Sequence, residues 1–155
     1  MLLYNTENEC HQELSDGIYM TSLHTDEDRE YVCDNLIAHN VKNTSGLLKK
    51  PGIEINLYLK DGDKVIGAIL CDLFNLCMYI DVMWIDEAYR GKGYGKALIE
   101  KAERLSIEKG CIFSHTCTFS YQSPEFYKAC GYEVFAELSD YPNGIVQYFL
   151  KKKFK

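Results

Sequence analysis

Two hydrophobic periods run along this chain, and they divide it into strands and helices. Ile53, Ile55, Leu57 and Leu59 recur at every second position, which predicts a strand. Asp61-Gly62 then predicts a hairpin turn, and residues 65–71 return as its partner. Residues 72–75 read as a second turn into a strand over 76–85, whose bulky run Tyr79-Ile80-Asp81-Val82-Met83-Trp84-Ile85 carries one acid. Strict alternation puts Tyr79, Asp81, Met83 and Ile85 on one face and Ile80, Val82 and Trp84 on the other. The period then lengthens. Over 97–109 a helix is expected, with Tyr94, Leu98, Ala102 and Leu105 on one stripe and Lys96, Glu100, Glu103 and Arg104 outside it. Glu100 and Arg104 stand one turn apart, and Lys109-Gly110 is a helix stop.

The flanks follow the same logic. Residues 17–23 read as a short first strand. Thr25-x-x-Asp28 reads as a helix N-cap pair, and the helix runs to about residue 40 with Val32, Cys33, Leu36 and Ile37 on its apolar face. Residues 40–52 read mostly as loop with room for one helical turn, placed where a loop can shape a pocket. Downstream, 111–119 is a strand, and Ser123-Pro124 opens a short helix over 124–130 that Gly131 ends. Residues 132–138 form a strand, Tyr141-Pro142-Asn143-Gly144 turns, and 145–150 closes the sheet. The order is β-α-β-β-β-α-β-α-β-β, a mixed α/β class with a mainly antiparallel sheet.

Composition changes this picture little. A chain of 155 residues, 46% apolar and 26% charged, is expected to be one domain, 1–155, with a real core. Its net charge of −6 argues against nonspecific nucleic-acid binding and tolerates a cationic small substrate. No apolar run reaches membrane-spanning length, and the polar residues after Met1-Leu2-Leu3 predict no signal peptide. Seven cysteines without a C-x-x-C suit a reducing cytoplasm. The closing Lys151-Lys152-Lys153-Phe154-Lys155 reads as a solvated basic end.

The candidate chemistry lies where the central strand meets the long helix, at Arg90-Gly91-Lys92-Gly93-Tyr94-Gly95-Lys96. The first amides of a helix lack internal acceptors and the dipole there is positive. Glycines let main chain approach a ligand without a Cβ between, so the loop is suited to phosphate. A P-loop needs four residues between its glycine and Gly-Lys; here three separate Gly91 from Gly95-Lys96, and Ala97 follows in place of Ser or Thr. The dinucleotide fingerprint G-x-G-x-x-G also fails, because the glycines fall at 91, 93 and 95.

Arg90-x-x-Gly93-x-Gly95 resembles the R/Q-x-x-G-x-G/A acetyl-CoA loop of the GNAT superfamily of acyl-CoA-dependent N-acetyltransferases. Phe126-Tyr127-Lys128-Ala129-Cys130-Gly131-Tyr132 resembles that family's second signature, in the right order about thirty residues on. Asp140-Tyr141-Pro142-x-Gly144 with Tyr148-Phe149-Leu150-x-Lys152 is similar to a bacterial branch whose acceptors are largely unassigned. The resemblance covers nearly the whole chain and implies acetyl-CoA as cosubstrate and no metal. It implies that the main chain of Met83, Trp84 and Ile85 pairs with the pantetheine arm, that Arg90 belongs to the cofactor-binding loop, and that the amides of Gly91, Lys92, Gly93, Tyr94, Gly95 and Lys96 hold the pyrophosphate. It also implies that Tyr127 protonates the departing thiolate. Ser120 stands where many relatives place a CoA-contacting asparagine, with Gln122 nearby.

Asp81 is the candidate for taking the amine proton, because an acid in an apolar strand is expected to be paired or useful. A structural hydrogen bond is its alternative role, and Tyr79 lies where some relatives carry their acid. Cys111, Phe113, His115, Cys117 and Phe119 share one strand face, and their spacing is not a familiar zinc pattern, so a packed sheet face is expected. The expected activity is acetyl transfer to a primary amine of a small molecule or peptide. The alternative is a non-catalytic acyl-CoA-binding sensor of the same fold. A homodimer is possible, and neither nucleic acid nor membrane is expected as a partner.

Overall fold

The computed structural model describes residues 11–44 and 52–155. The chain divides into two compact units, Met1–Lys49 and Lys50–Lys155.

The first unit holds a hairpin and a helix. β1 (His11–Ser15) pairs antiparallel with β2 (Ile18–Thr21) across a turn in which Asp16 and Gly17 both have positive φ. One strand over 17–23 is expected from the sequence; the structure has two, because β1 is mostly polar and gives no hydrophobic alternation. The Asp-Gly pair between them is the signal that marks the hairpin. α1 (Asp26–Asn43) opens as read: the Thr25 side chain accepts from the Asp28 amide at 3.1 Å, and Asp28 accepts from the Thr25 amide at 2.8 Å. The helix continues to Asn43, so part of the expected loop is helical. Residues 45–51, where a pocket-shaping loop is expected, lie outside the described residues.

The second unit is a six-stranded sheet in the order β3 (Ile53–Asp61), β4 (Lys64–Phe74), β5 (Cys77–Ile85), β6 (Phe113–Phe119), β8 (Gln147–Lys153), β7 (Glu133–Leu138). Only the β5–β6 pair is parallel, since α2 (Tyr94–Glu108) crosses between them. β4 runs on to Phe74, and the turn into β5 is just Asn75-Leu76, both at positive φ, a geometry that matches the twist of its flanking strands. Alternation hides this, because the expected turn residues Asp72–Phe74 continue the strand. The last strand in sequence, β8, inserts between β6 and β7 and leaves β7 at the edge.

Ile69, Met78, Ile80, Ile99 and Leu150 are fully buried at the centre of the core. α2 turns Leu98, Ile99, Ala102, Glu103 and Ser106 inward, so the buried stripe is rotated from the expected one. Tyr94 is left partly exposed, and Glu103 goes inside. The buried carboxylate is satisfied by Lys152 of β8, whose Nζ lies 2.8 and 2.7 Å from its oxygens and donates to the Cys130 carbonyl at 2.9 Å. The expected basic tail is therefore strand through Lys153, with Lys152 turned into the unit.

β6 keeps the expected shared face but turns its other side to the core. Its core side is Ser114, Thr116 and Thr118, while Phe113, His115, Cys117 and Phe119 face the other way, half-buried. Each hydroxyl has a partner: Tyr132 donates to Ser114 at 3.0 Å, Thr116 to the Ile80 carbonyl at 2.9 Å and Thr118 to Gln122 at 3.0 Å. Paired hydroxyls can be buried at little net cost, which is how a polar face comes to lie on the core. Among the described residues no helix is long and apolar enough to cross a membrane.

Candidate active site

β5 and β6 pair only over Cys77–Ile80 and Phe113–Thr116. Beyond Thr116 the two strands separate, and a cleft of about 730 Å³ opens between them. Asp81, Met83, Trp84 and Ile85 form one wall, Cys117 and Thr118 the other, with the loop into α2 above and α3 (Pro124–Ala129) behind.

A bulge in β5 causes the separation. Leu70 pairs with Val82 but Cys71 pairs with Ile80, so Asp81 is the extra residue. A bulge bends its strand and increases the local twist. It also resets the alternation. Met78 and Ile80 are buried before it, and Met83 and Ile85 pack on the same core after it, while Val82 and Trp84 are exposed. Asp81 therefore does not share a face with Met83 and Ile85. It is exposed at the mouth of the cleft, so the shared face that alternation predicts is absent.

The main chain beyond the bulge has no strand on its cleft side. The Asp86 amide donates to the Ile66 carbonyl at 2.9 Å, whereas the Ile85 carbonyl accepts from Arg90 Nε at 2.9 Å. Hydrogen bonds to a neighbouring strand fall on alternate residues. The amide and carbonyl of Met83 therefore point to the open edge, where an extended chain can add itself as a strand.

Arg90 braces the loop, and Lys92 folds back to donate to the Ala88 carbonyl at 3.0 Å. Gly91 and Gly93 have φ of 74° and 84°, and a Cβ at either would meet nothing within 4 Å. The glycines are required by backbone conformation, not by crowding. Gly93 caps α2 without any side-chain hydrogen bond, and the first amide with an intrahelical acceptor is Ala97, at 3.0 Å from the Gly93 carbonyl. The amides before it open on the cleft with the positive end of the helix dipole behind them. Gly95 is different: a Cβ there would stand 3.1 Å from the Phe126 ring, so its smallness lets α2 pack against α3. This cradle of bare amides beside an unpaired strand edge fits a phosphate-bearing, amide-containing arm such as that of CoA.

Tyr127 lies at the back of the cleft, 7% exposed, edge-on to Phe126 and Tyr132 at 5.3 and 5.9 Å between ring centres. Burial pushes its phenol up to about 12, against the opposing effect of a hydrogen bond with Thr116. It is thus neutral and protonated throughout the neutral range. Its carbonyl takes the Tyr132 and Cys130 amides, both at 3.0 Å, which fixes the end of α3.

The structure brings Asp81, Met83, Trp84, Ile85, Arg90, Gly91, Gly93, Tyr94, Gly95, Lys96 and Tyr127 to one cleft. Ser120 does not line it; its hydroxyl accepts from the Val146 amide at 3.2 Å. Gln122 does, with its carbonyl oxygen accepting from Thr118 and from the Phe119 amide at 2.8 Å. Cys117 and Tyr121 also line it, unmarked in the sequence by any motif. Among the described residues no cluster of three His, Cys, Asp or Glu is placed to hold a metal.

Comparison with known proteins agrees with this geometry. The family model described as acetyltransferase (GNAT) family matches residues 3–132. Over 77 residues the chain is 42% identical to blasticidin-S acetyltransferase of Streptomyces morookaense, which is 49% of this chain and 57% of that protein. The chain thus spans little more than half the length of that relative. The crystal structure of an acetyltransferase from Bacillus cereus ATCC 14579 superposes with a TM-score of 0.77 at 32% identity, covering 86% of this chain and 96% of that one. PaiA N-acetyltransferase from Thermoplasma acidophilum, in complex with coenzyme A, shares the fold at a TM-score of 0.56 and 19% identity, covering 85% and 81%.

Proposed function

The chain belongs to the acetyltransferase (GNAT) family, and we propose that it moves an acetyl group from acetyl-CoA to a primary amine of a small molecule or peptide. The observation that carries this reading is the cleft at the β5–β6 separation. It joins a bare helix N-terminus, an unpaired strand edge and a buried, protonated phenol in one space.

Bound acetyl-CoA supplies the thioester acyl group. The open amides at the start of α2 hold the negative pyrophosphate, and the Gly91 and Gly93 conformations aim them. The Met83 amide and carbonyl orient the pantetheine arm along β5. Tyr127 holds a proton at its hydroxyl for the departing sulfur; a buried phenol with a raised pKa stays loaded at every working pH. Asp81, at the mouth, accepts the proton that the incoming ammonium sheds, directly or through a water.

The name of the Streptomyces relative supports blasticidin S as an acceptor to test. The test is thiol release from acetyl-CoA by the purified protein against a panel of amines that includes blasticidin S. Amine-dependent release of free CoA is expected for at least one member. CoA binding with no release for any amine would replace the enzyme with an acyl-CoA-binding module.

A further inference from the structure

A second cavity, of about 410 Å³, lies on the face of the sheet that carries Tyr79 and His115. It is lined by Asp72, Phe74, Asn75, Cys77, Tyr79, Phe113 and His115, all within the second unit. The reaction described above uses none of these side chains.

The register explains the grouping. Asp72 is the direct cross-strand partner of Tyr79, and Tyr79 that of His115. Partners on adjacent strands point to the same face, so a carboxylate, a phenol and an imidazole stand in a row across three strands. The rings make a wall: Tyr79 and His115 lie 4.9 Å apart between centres, and Phe113 stacks on His115 at 6.4 Å. Among the described lining residues Asp72 is the only one of formal charge at neutral pH. Burial holds His115 below the ordinary imidazole pKa and raises Tyr79 above the ordinary phenol pKa, so both rings are uncharged there. The row continues to Lys151, the partner of His115 on β8, but its ammonium is held by Glu133 at 3.6 Å and lies over the Phe135 ring. Aromatic faces with one carboxylate and no cation among the described lining residues suit a planar cation. The rings attract it through their quadrupoles, and the carboxylate takes its N–H groups in pairs.

The cavity also borders the cleft. The Tyr79 hydroxyl lies 4.0 Å from Cys117 Sγ, and Cys117 lines the cleft. Along β5, Tyr79 is two residues from Asp81 and four from Met83, which at about 3.3 Å per residue is roughly 7–13 Å. We propose that this cavity binds a guanidinium-type planar cation on the acceptor, so that the preferred substrate carries a second, planar positive charge about 10 Å or less from the amine it presents. This deepens the acetyltransferase reading and rests on it for the identity of the reacting end.

The experiment compares agmatine, an amine with a guanidinium tail, with n-pentylamine, an amine with a neutral tail. In the unaltered protein agmatine is expected to show a kcat/KM at least tenfold above that of n-pentylamine. In Asp72→Asn that ratio is expected to fall at least tenfold, mainly through the KM for agmatine, and Phe113→Leu to lower it by a smaller factor. Calorimetry of agmatine alone on both proteins runs beside the kinetics. Agmatine binding that Asp72→Asn weakens, with no acetyl transfer to either amine, keeps the cavity assignment and removes the enzyme reading. Transfer to both amines with a ratio near one, or a ratio that Asp72→Asn leaves in place, overturns the cavity assignment and keeps the enzyme. Agmatine that fails to bind also overturns the cavity assignment, whatever the transfer kinetics.

Discussion

The two sides of the cleft offer opposite kinds of group to the proposed reaction. On the β5 side the proposed working groups are main-chain amides and carbonyls at an open strand edge and an uncapped helix start. On the α3 side the proposed working group is one side chain, Tyr127, enclosed and held by packing. A site of main-chain groups is controlled by backbone conformation, and side chains beside it can change at little cost. A site of one buried side chain is controlled by that atom and by whatever fixes its helix. The two walls should therefore respond to different substitutions, and four experiments separate them.

The largest effect is expected at Tyr127. Tyr127→Phe keeps the ring and its packing and removes the proton, so kcat should fall by about 10²–10⁴ while CoA affinity holds, checked by steady-state kinetics and calorimetry. Full activity in that variant would assign the proton to another group. Its titration predicts a second effect. An unfolded phenol ionises near 10 and the folded one at about 12, so the folded state binds the proton more tightly. The stabilisation is complete below pH 10 and is lost as pH rises through 12. Alkaline unfolding should be shallower in Tyr127→Phe, with Tyr79, Cys71, Cys77 and Tyr132, all raised by burial, contributing the remainder.

The same division explains what the sequence discloses. The glycine loop, the helix it opens and Tyr127 are legible because each depends on residues close together in the chain. The bulge at Asp81 is not. It is a property of the pairing with Leu70 and Cys71, and nothing within β5 shows that one residue is surplus. Strict alternation consequently places Asp81 with Met83. The Ser-Thr face of β6 is illegible for a related reason, since its partners Tyr132, Gln122 and the Ile80 carbonyl come from three other elements. Glu103 and Lys152 are 49 residues apart, and each alone reads as a solvated charge.

That ion pair gives the second test. Lys152 ties α2 to β8 and, through the Cys130 carbonyl, to the end of α3. Lys152→Met would leave a nearly enclosed carboxylate without its cation, since the Glu103 side chain is only 10% exposed. Breaking a fully buried pair costs about 3–5 kcal/mol. Lys152 keeps 26% of its side chain in water, so about 2–3 kcal/mol is expected, measured by urea unfolding. Glu103→Gln, which can still accept from Lys152, should cost less. An unchanged midpoint in Lys152→Met would show that water replaces the ammonium without loss. CoA affinity should hold in both variants, because the β5 side does not depend on this lock.

The third test addresses the other wall. Gly93→Val has room for its side chain but not the right backbone: φ of 84° costs an L-residue about 1–2 kcal/mol. The chain should relieve this by turning the 93–96 amides away from the cleft, raising the CoA dissociation constant by about tenfold. Lys92→Ala, which removes a side chain bonded to the Ala88 carbonyl, should change that constant by less than about threefold. Equal effects from the two variants would mean that side-chain charge, not main-chain geometry, holds the cosubstrate.

The smallest effect on turnover is expected at Asp81, the exposed residue of the β5 wall. It arises from the bulge and stands exposed at the mouth. An amine with a lysine-like pKa near ~10.4 arrives protonated at neutral pH and must lose that proton before it attacks. Enclosed, a carboxylate would be the necessary acceptor; at an open mouth it shares the task with water. Asp81→Asn preserves the size and the bulge and removes only the basic oxygen. The expected outcome is a loss of about three- to tenfold in kcat/KM near pH 6.5, shrinking as the pH is raised towards 9 and more of the amine is already neutral. The loss should fall on kcat and not on the KM for acetyl-CoA. A pH–rate profile parallel to that of the unaltered protein would remove Asp81 from proton transfer, and the ammonium would then lose its proton to solvent at the open mouth.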